Sequence, residues 1–309
     1  MIKLVGGSFL ALLQLGARLS NSAYYADFSN YTGQVLYSST TCEIEKPVFF
    51  VYIQDNSLYI VTRGSQDDED FATDAEFTET VTDYGVFHTG FYNAAVYVYE
   101  HTKEYINSWN GPVYFVGHSY GAAVSQILTV MSYHFKNDID AYSFAYAPMP
   151  AMDITADDKI QDRLYAIVND DDIIPTLSVP NVYEKFHLLY PTIRYVPTDI
   201  LVGTLDALLK LMKLTSAIDN GMYNMLWDAV PTIVNAAKEY EKGVKKYVRY
   251  PAGNVYQLKL NEPKTLSDAQ VNPEIALNQL AVQVNSLNDH DCENYIAVVD
   301  QIIVDDNEE

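Results

Sequence analysis

The stretch from residue 113 to residue 128, VYFVGHSYGAAVSQIL, decides the fold of this chain. Its first part continues from Pro112 as a short apolar run, typical of a strand buried on both faces. Its last part has the apolar spacing of a helix. The pentad Gly117-His118-Ser119-Tyr120-Gly121 lies between them, and in this context a G-x-S-x-G pattern predicts a nucleophile elbow that projects the Ser119 hydroxyl. The simpler alternative is an ordinary glycine turn between a strand and a helix.

The segments on either side of this stretch alternate between strand and helix patterns. Buried parallel strands are predicted for AYSFAYA (141–147) and RLYAIVN (163–169), and a hairpin for PVFFVYIQDNSLYIVTRGS (47–65). A helix is predicted for FYNAAVYVYEHTKEYINSW (91–109). An edge strand is predicted for FHLLYPTIRYV (186–196), and a late strand for YPAGNVYQLKL (250–260). A final helix is expected from roughly 290 to 304. This alternation predicts an α/β protein with a mostly parallel central sheet and helices on both faces.

Three segments stand apart from this pattern. The N-terminal MIKLVGGSFLALLQLGARLS fits a short signal peptide or an amphipathic first helix, and the helix is favoured. The acidic stretch 66–85 predicts a solvated loop, with a short helix as an option. Residues 198–249 predict a helical insertion within a single domain of residues 1–309, either as a cap over the sheet or as a lid or lipid-contacting surface.

The composition limits the partners of the chain. Its 309 residues hold 19 Lys and Arg against 41 Asp and Glu, and this net charge of -22 opposes binding to nucleic acid. No window has the roughly 18 apolar residues of a membrane span, so a soluble protein is predicted, with the cytoplasm favoured over secretion. Cys42 and Cys292 form either one disulfide or two buried thiols. No metal-ligand cluster and no phosphate-binding loop are present in the sequence, so no cofactor is expected.

A serine nucleophile needs a base and an acid, which follow it in this fold in the order acid, then histidine. Of the six histidines, His187 and His290 follow the acidic candidates; His187 falls on the predicted edge strand, whereas His290 lies in a polar segment before the last helix. The acid is expected at the end of the strand RLYAIVN, where residues 170–172 are all aspartate. The residues themselves leave the choice among these three open.

The oxyanion of the transition state needs backbone donors. The N–H of Tyr120, the residue after the nucleophile, is one donor. The segment Arg63-Gly64-Ser65 at the end of the hairpin is the expected source of the second. Hydrolysis through an acyl-enzyme is the mechanism that these residues favour.

Taken together, these motifs resemble the class 3 lipase family, the fungal triacylglycerol and diacylglycerol lipase type of α/β hydrolase. The matching segments are VTRGSQDDEDFATD (61–74), VFHTGFYNAA (86–95), VGHSYGAA (116–123), IVNDDDIIP (167–175), YPAGNVYQL (250–258) and DHDCENY (289–295). They occur in the family's order and cover about residues 15 to 300.

The resemblance implies an α/β-hydrolase fold with Ser119 as nucleophile, Asp172 as orienting acid and His290 as base. It implies Ser65 and Tyr120 as oxyanion donors, with Gly117, His118 and Gly121 completing the elbow. The sequence departs from the family at Phe71, where tryptophan is usual, at Ala122, which replaces a second elbow glycine, and at FAYAPMP (144–150). The acidic segment 66–84 lies where the family carries its lid and lacks a strongly apolar face.

The predicted function is that of a serine carboxylic-ester hydrolase, a lipase acting on acylglycerols. Its expected partners are a lipid or ester substrate and, transiently, a lipid interface. Phospholipase A1 and short-chain esterase activities are the nearest alternatives. A lipase-like interaction protein without turnover is the alternative from a different class, and it has no physical need for a complete triad.

Overall fold

The computed structural model describes residues 7–39, 43, 45–65, 78–136, 138–154, 158–170, 172–189, 192–214, 220–276 and 288–304. The strands are β1 Gln34–Ser38, β2 Phe49–Gln54, β3 Ser57–Thr62, β4 Glu79–Val81, β5 Val86–His88, β6 Val113–His118, β7 Ala141–Tyr146, β8 Met152–Asp153, β9 Leu164–Asn169, β10 Asn254–Leu258 and β11 Gln270–Val271. The helices are α1 Gly7–Tyr25, α2 Thr89–Ser108, α3 Tyr120–Phe135, α4 Asp158–Gln161, α5 Val179–Leu189, α6 Thr198–Leu214, α7 Asn220–Glu241, α8 Leu266–Ala269, α9 Pro273–Ala276 and α10 Cys292–Val299.

The central sheet has the strand order β1-β2-β3-β6-β7-β9-β10-β11. Its middle is parallel, from β3 through β6, β7 and β9 to β10, and the strands at its two ends are antiparallel to their neighbours. The predicted hairpin is the pair β2 and β3, which turns at Asp55 and Asn56; both have positive φ, as a two-residue hairpin turn of this hand requires. Strands β4, β5 and β8 form a second, antiparallel sheet.

Successive side chains of the parallel strands point to opposite faces of the sheet, so a core forms on each face. In β3, Leu58 and Ile60 enter one core, whereas Tyr59 and Val61 enter the other. Helices α2 and α3 contribute to the first core, and helices α1 and α10 to the second. A strand buried on both faces must be apolar throughout, which is why β6 and its neighbours appear in the sequence as continuous apolar runs.

The N-terminal segment forms the predicted first helix over residues 7–25. Leu13, Ala17 and Leu19 are completely buried in the same core as Tyr114 and Val116 of β6. Helix α1 packs against β6 and against α10 near the end of the chain. The described part of the chain contains no helix that is both long enough and apolar enough to cross a membrane.

The predicted edge strand over residues 186–196 is wrong. Residues of this stretch belong to helix α5 and to a 3-10 turn, Ile193–Tyr195; residues 190 and 191 lie outside the described ranges. The position beside β9 is filled by β10, which pairs with it in parallel. Pro180 stands in the first turn of α5, where a helix tolerates proline because the N–H there has no intrahelical partner.

Two other boundaries differ from the expectation. The final helix is shorter than predicted: a 3-10 turn spans Asn288–His290, and α10 then begins behind the N-cap Asp291, whose carboxylate accepts the N–H of Glu293 at 2.9 Å. Within the acidic stretch, β4 pairs with β5, so its last part is a hairpin strand. Residues 66–77, which include Phe71, lie outside the described residues, as does Cys42; Cys292 is a buried free thiol.

Candidate active site

Ser119 sits on a sharp turn between β6 and α3. Its backbone has φ 56° and ψ -122°, a conformation that costs a non-glycine residue on the order of 1–3 kcal/mol and is typical of functional sites. The flanking glycines permit the close crossing of strand and helix. A Cβ on Gly117 would overlap the backbone of Gly121, and a Cβ on Gly121 would overlap the carbonyl oxygen of Thr62.

The imidazole of His290 lies between Ser119 and Asp172. Its Nε2 is 2.9 Å from Ser119 Oγ, and its Nδ1 is 2.9 Å from Asp172 Oδ2. All three side chains are buried, although His290 lies 171 residues after Ser119 and 118 residues after Asp172 in the chain. The fold therefore joins a hydroxyl, an imidazole and a carboxylate in one hydrogen-bonded chain.

Asp172 is completely buried, and its carboxylate has a full set of hydrogen-bond donors besides the histidine. Oδ1 accepts the backbone N–H of Ile174 at 2.9 Å, and Oδ2 accepts the hydroxyl of Tyr295 at 2.6 Å. Burial, followed by the neighbouring carboxylate of Asp172, raises the pKa of Tyr295, so its hydroxyl remains protonated and acts as a donor. These donors compensate the cost of burying the carboxylate.

Asn169, the last residue of β9, connects the acid to the histidine turn. Its backbone N–H donates to Tyr295 Oη at 3.0 Å, and its Nδ2 donates to the carbonyl of Asp289 at 2.8 Å. Asp289 directly precedes His290. The sequence reasoning assigned no role to Asn169 or Tyr295, although both lie in the quoted motifs, at residues 167–175 and 289–295.

The structure separates the candidate acids. Asp170 has a positive φ of 42° and lies 3.5 Å from the ammonium group of Lys259. Asp171 lies outside the described residues. Of the two aspartates that the structure describes here, only Asp172 contacts His290.

The remaining histidines have other surroundings. His187 is exposed in the last turn of α5 and packs on Tyr183. His101 and His134 lie on helices α2 and α3, where His134 stacks on Tyr84. His88 is buried, at the end of β5.

His118 lies inside the elbow and contacts the catalytic candidate His290. The two ring centroids are 4.7 Å apart, and His118 Nδ1 is 2.8 Å from the hydroxyl of Tyr24 in α1. Burial, together with the charge of His290, lowers the pKa of His118, which is therefore neutral at pH 7. No pattern in the sequence pointed to Tyr24.

The predicted oxyanion donors flank the elbow. Tyr120 is the first residue of α3, and the first N–H groups of a helix have no carbonyl partner within it. Ser65 follows Gly64, where an added Cβ would lie 2.8 Å from the carbonyl oxygen of His118. The Oγ of Ser65 is buried and has no hydrogen-bond partner among the described residues.

A pocket that is open to solvent lies next to the elbow. Its apolar lining includes Phe91, Met149, Leu177 and Val248. The ring of Phe91 packs against Tyr120, with centroids 5.6 Å apart, which places the pocket beside the nucleophile turn. Within the described ranges, no three His, Cys, Asp or Glu side chains are arranged to hold a metal ion.

Comparisons with solved structures show the fold. A deletion mutant of Rhizomucor miehei lipase in a propeptide complex aligns with a TM-score of 0.54 and 15% identity, covering 95% of this chain and 80% of that chain. Rhizomucor miehei triacylglyceride lipase aligns over 55% of this chain and 75% of its own, with 18% identity and a TM-score of 0.48. A triacylglycerol lipase from Penicillium expansum aligns over 55% and 73%, with 17% identity and a TM-score of 0.47. The predicted α/β-hydrolase fold is confirmed.

The sequence comparisons give one match. Residues 59–182 match the family model of lipase (class 3), and no curated protein matches the chain. The matched range contains Ser65, the elbow pentad and Asp172. This match supports an ester-hydrolase function of the lipase type. It confirms the resemblance deduced from the motifs: over residues 59–182 the chain matches the class 3 lipase family model.

Proposed function

We propose that the protein is a serine carboxylic-ester hydrolase that acts on acylglycerols through an acyl-enzyme. The observation that carries this proposal is the hydrogen-bonded chain from Ser119 Oγ through His290 to Asp172, with both bonds at 2.9 Å. A structural serine needs neither a buried histidine nor a buried carboxylate aligned behind it. The strained backbone of Ser119 supports the same function.

The mechanism follows from the placement of the side chains. His290 Nε2 takes the proton of Ser119 Oγ as this oxygen bonds to the ester carbonyl carbon. The N–H of Tyr120, together with Ser65, stabilises the resulting oxyanion. Asp172 holds the imidazole tautomer and stabilises the imidazolium. His290 then protonates the leaving alcohol, and the acyl group remains on Ser119. A water molecule, deprotonated by His290, attacks this ester; the bond to Ser119 Oγ breaks, His290 returns the proton to that oxygen, and the carboxylic acid is released.

The pocket beside the elbow supports an acyl chain as the group that is transferred. Phe91, Met149 and Leu177 offer apolar contact, which stabilises a buried methylene by about 0.8 kcal/mol. The polar ester oxygen would then point toward the donors of Tyr120 and Ser65. This arrangement favours an ester with an apolar acyl group.

We also propose that residues 198–249 are a helical insertion in a single hydrolase domain. Leu201 of α6 and Val234 of α7 are completely buried, and they belong to the same core as Phe115 of β6. A shared core is what distinguishes an insertion from a separately folded unit.

A substrate panel tests the function. Purified protein is assayed on tri-, di- and monoacylglycerols, on phospholipids with separate detection of the sn-1 acid, and on soluble p-nitrophenyl esters, with Ser119→Ala as control. We expect acylglycerol hydrolysis that the control lacks. A preference for phospholipids or for short soluble esters would mean that this class, and not acylglycerols, is the substrate. No Ser119-dependent hydrolysis of any ester would contradict the enzyme function and favour an interaction protein.

A further inference from the structure

The imidazole of His118 packs directly against the imidazole of the proposed base. The rings of His118 and His290 have centroids 4.7 Å apart and planes inclined by 39°. The ring of Tyr295, which donates to the proposed acid, contacts His118 edge-on at 5.4 Å. His118 is only 3% exposed, so its ring has few alternative orientations. Its contacts therefore connect it to the proposed base and to the tyrosine that donates to the proposed acid.

Tyr24 fixes the other side of this histidine. Its hydroxyl is 2.8 Å from His118 Nδ1, and its ring packs edge-on at 5.9 Å. A hydrogen bond to one ring nitrogen sets the rotation and the tautomer of an imidazole. Tyr24 is carried by α1, 94 residues away in sequence, and the docking of that helix against β6 brings it here.

The site is shaped to admit the tyrosine hydroxyl. A Cβ on Gly64 would overlap Tyr24 Oη, so a residue with a side chain at this position would displace the hydroxyl from His118. Gly64 directly precedes Ser65, the proposed oxyanion donor. The absence of a side chain at Gly64 thus has a specific consequence, namely access of Tyr24 to the elbow.

The charge state of His118 suits a position beside the base. Burial and the charge of His290 both lower the pKa of His118, so it stays neutral when His290 takes up the serine proton. A neutral aromatic ring against an imidazolium is favourable, whereas a second imidazolium would oppose its formation.

We propose that Tyr24 and His118 form a positioning pair, in which the Tyr24 hydroxyl orients the His118 ring and that ring holds His290 in line between Ser119 and Asp172. The proposal rests on the function proposed above. In this arrangement both residues act on the reaction through His290. Removing the hydroxyl leaves every proposed catalytic residue in place and loosens the base.

A double-mutant cycle tests the pair in the full-length protein, with p-nitrophenyl butyrate as the soluble substrate. We expect Tyr24→Phe and His118→Phe each to lower kcat about 10-fold, with KM within about 2-fold of wild type, because misplacement of a catalytic group reduces turnover more than binding. The double variant should be no slower than His118→Phe alone, because the tyrosine acts through the histidine.

Tyr52→Phe is the matched control, since it also removes a tyrosine hydroxyl that is hydrogen-bonded within the protein. Tyr52 Oη accepts the N–H of Gly33 at 2.9 Å and donates to Gln54 at 2.7 Å, away from the elbow. Its loss should lower Tm without lowering kcat. Thermal unfolding of every variant separates loss of fold from loss of position.

The outcomes are distinct. The pair would be overturned if folded Tyr24→Phe had the kcat of wild type, or if the effects of the two substitutions multiplied in the double variant. Either result would leave the proposed ester hydrolysis by the wild type unaffected. If His118→Phe does not fold, the kcat and KM of Tyr24→Phe against Tyr52→Phe decide alone. Wild-type protein that hydrolyses no ester would overturn the proposed function, and the pair with it.

Discussion

Asp170 and Asp172 come from one run of aspartates, but their surroundings make them different groups. Asp172 is completely buried and accepts three hydrogen bonds, including the one from His290. Asp170 is partly exposed and faces Lys259 across 3.5 Å. A carboxylate of the first kind can orient an imidazole, whereas one of the second kind contributes a weak surface ion pair.

Asp172→Asn should lower kcat by roughly three to four orders of magnitude, because the amide favours the wrong histidine tautomer and cannot stabilise the imidazolium. Asp170→Asn is the matched control. Asparagine tolerates the positive φ at residue 170, so this variant should keep kcat within a few-fold of wild type. Initial rates on a soluble ester measure both. Equal losses in the two variants would show that residue 172 is not the orienting acid.

Tyr295→Phe removes one hydrogen bond to Asp172 and the acceptor of the Asn169 N–H. Leaving that buried N–H unpaired should lower the free energy of unfolding by about 1–3 kcal/mol. Denaturant unfolding measures this cost. Stability equal to wild type would mean that this hydroxyl is not part of the buried network.

The sequence could restrict the site to a few side chains but could not complete it. Chain order left two histidines and three aspartates as candidates, and the register of the family motifs favoured Asp172 and His290. Tyr24 could not be found this way, because its link to His118 depends on how α1 docks on the sheet. A single tyrosine on a helix face carries no local signal of a partner 94 residues away.

Among the elements, the elbow imposes the strictest steric demand. Gly121→Ala should destabilise the protein and abolish turnover, because its Cβ would overlap the carbonyl oxygen of Thr62, a backbone atom that cannot move aside. Gly203→Ala is the control, since an added Cβ there meets nothing within 4 Å on helix α6. That change should stabilise the protein by up to about 1 kcal/mol. Thermal unfolding compares them, and similar Tm values for both would contradict the crossing described for Gly121.

Helix α1 should contribute strongly to stability. Leu13→Ala removes a completely buried side chain and should cost about 2–5 kcal/mol. Arg18→Ala, on the same helix, loses an ion pair to Asp300 in which both side chains are about one-third exposed, and should cost under about 1 kcal/mol. Urea unfolding measures both, and a Leu13→Ala midpoint at the wild-type value would mean that α1 does not dock on the sheet in solution.

Buried strands were predictable because burial on both faces imposes a continuous apolar run, as in β6, β7 and β9. The segment at residues 186–196 has the same kind of apolar run but forms helix α5 and a 3-10 turn. Local composition cannot show that β10, about sixty residues later, takes the place beside β9. Strand order is a property of the assembled sheet, so this error could not be corrected from the segment itself.

His118 contacts Tyr24 of α1 and Tyr295 of α10, two helices that are distant in sequence and pack together on the same face of the sheet. Burying this histidine in its neutral form links stability to pH. Its pKa in the folded state is lowered below 6.5, so below that pH the unfolded chain binds a proton that the folded protein does not.

Acidification from pH 7 to pH 5 should therefore destabilise wild type relative to His118→Asn. The difference in their free energies of unfolding should change in favour of the variant by up to about 1.4 kcal/mol per pH unit below pH 6.5. Urea titrations at each pH measure this difference. A pH-independent difference would mean that His118 binds protons equally in the folded and unfolded states.

Covalent labelling tests the central claim most directly, namely that the fold activates Ser119 through His290. Folded wild-type protein is treated with a fluorophosphonate, and the adduct is located by peptide mass spectrometry alongside Ser119→Ala and His290→Ala. We predict one adduct on Ser119 in wild type, none in Ser119→Ala, and labelling slowed by orders of magnitude in His290→Ala. Equal labelling of Ser119→Ala, or an unlabelled wild type, would contradict the account.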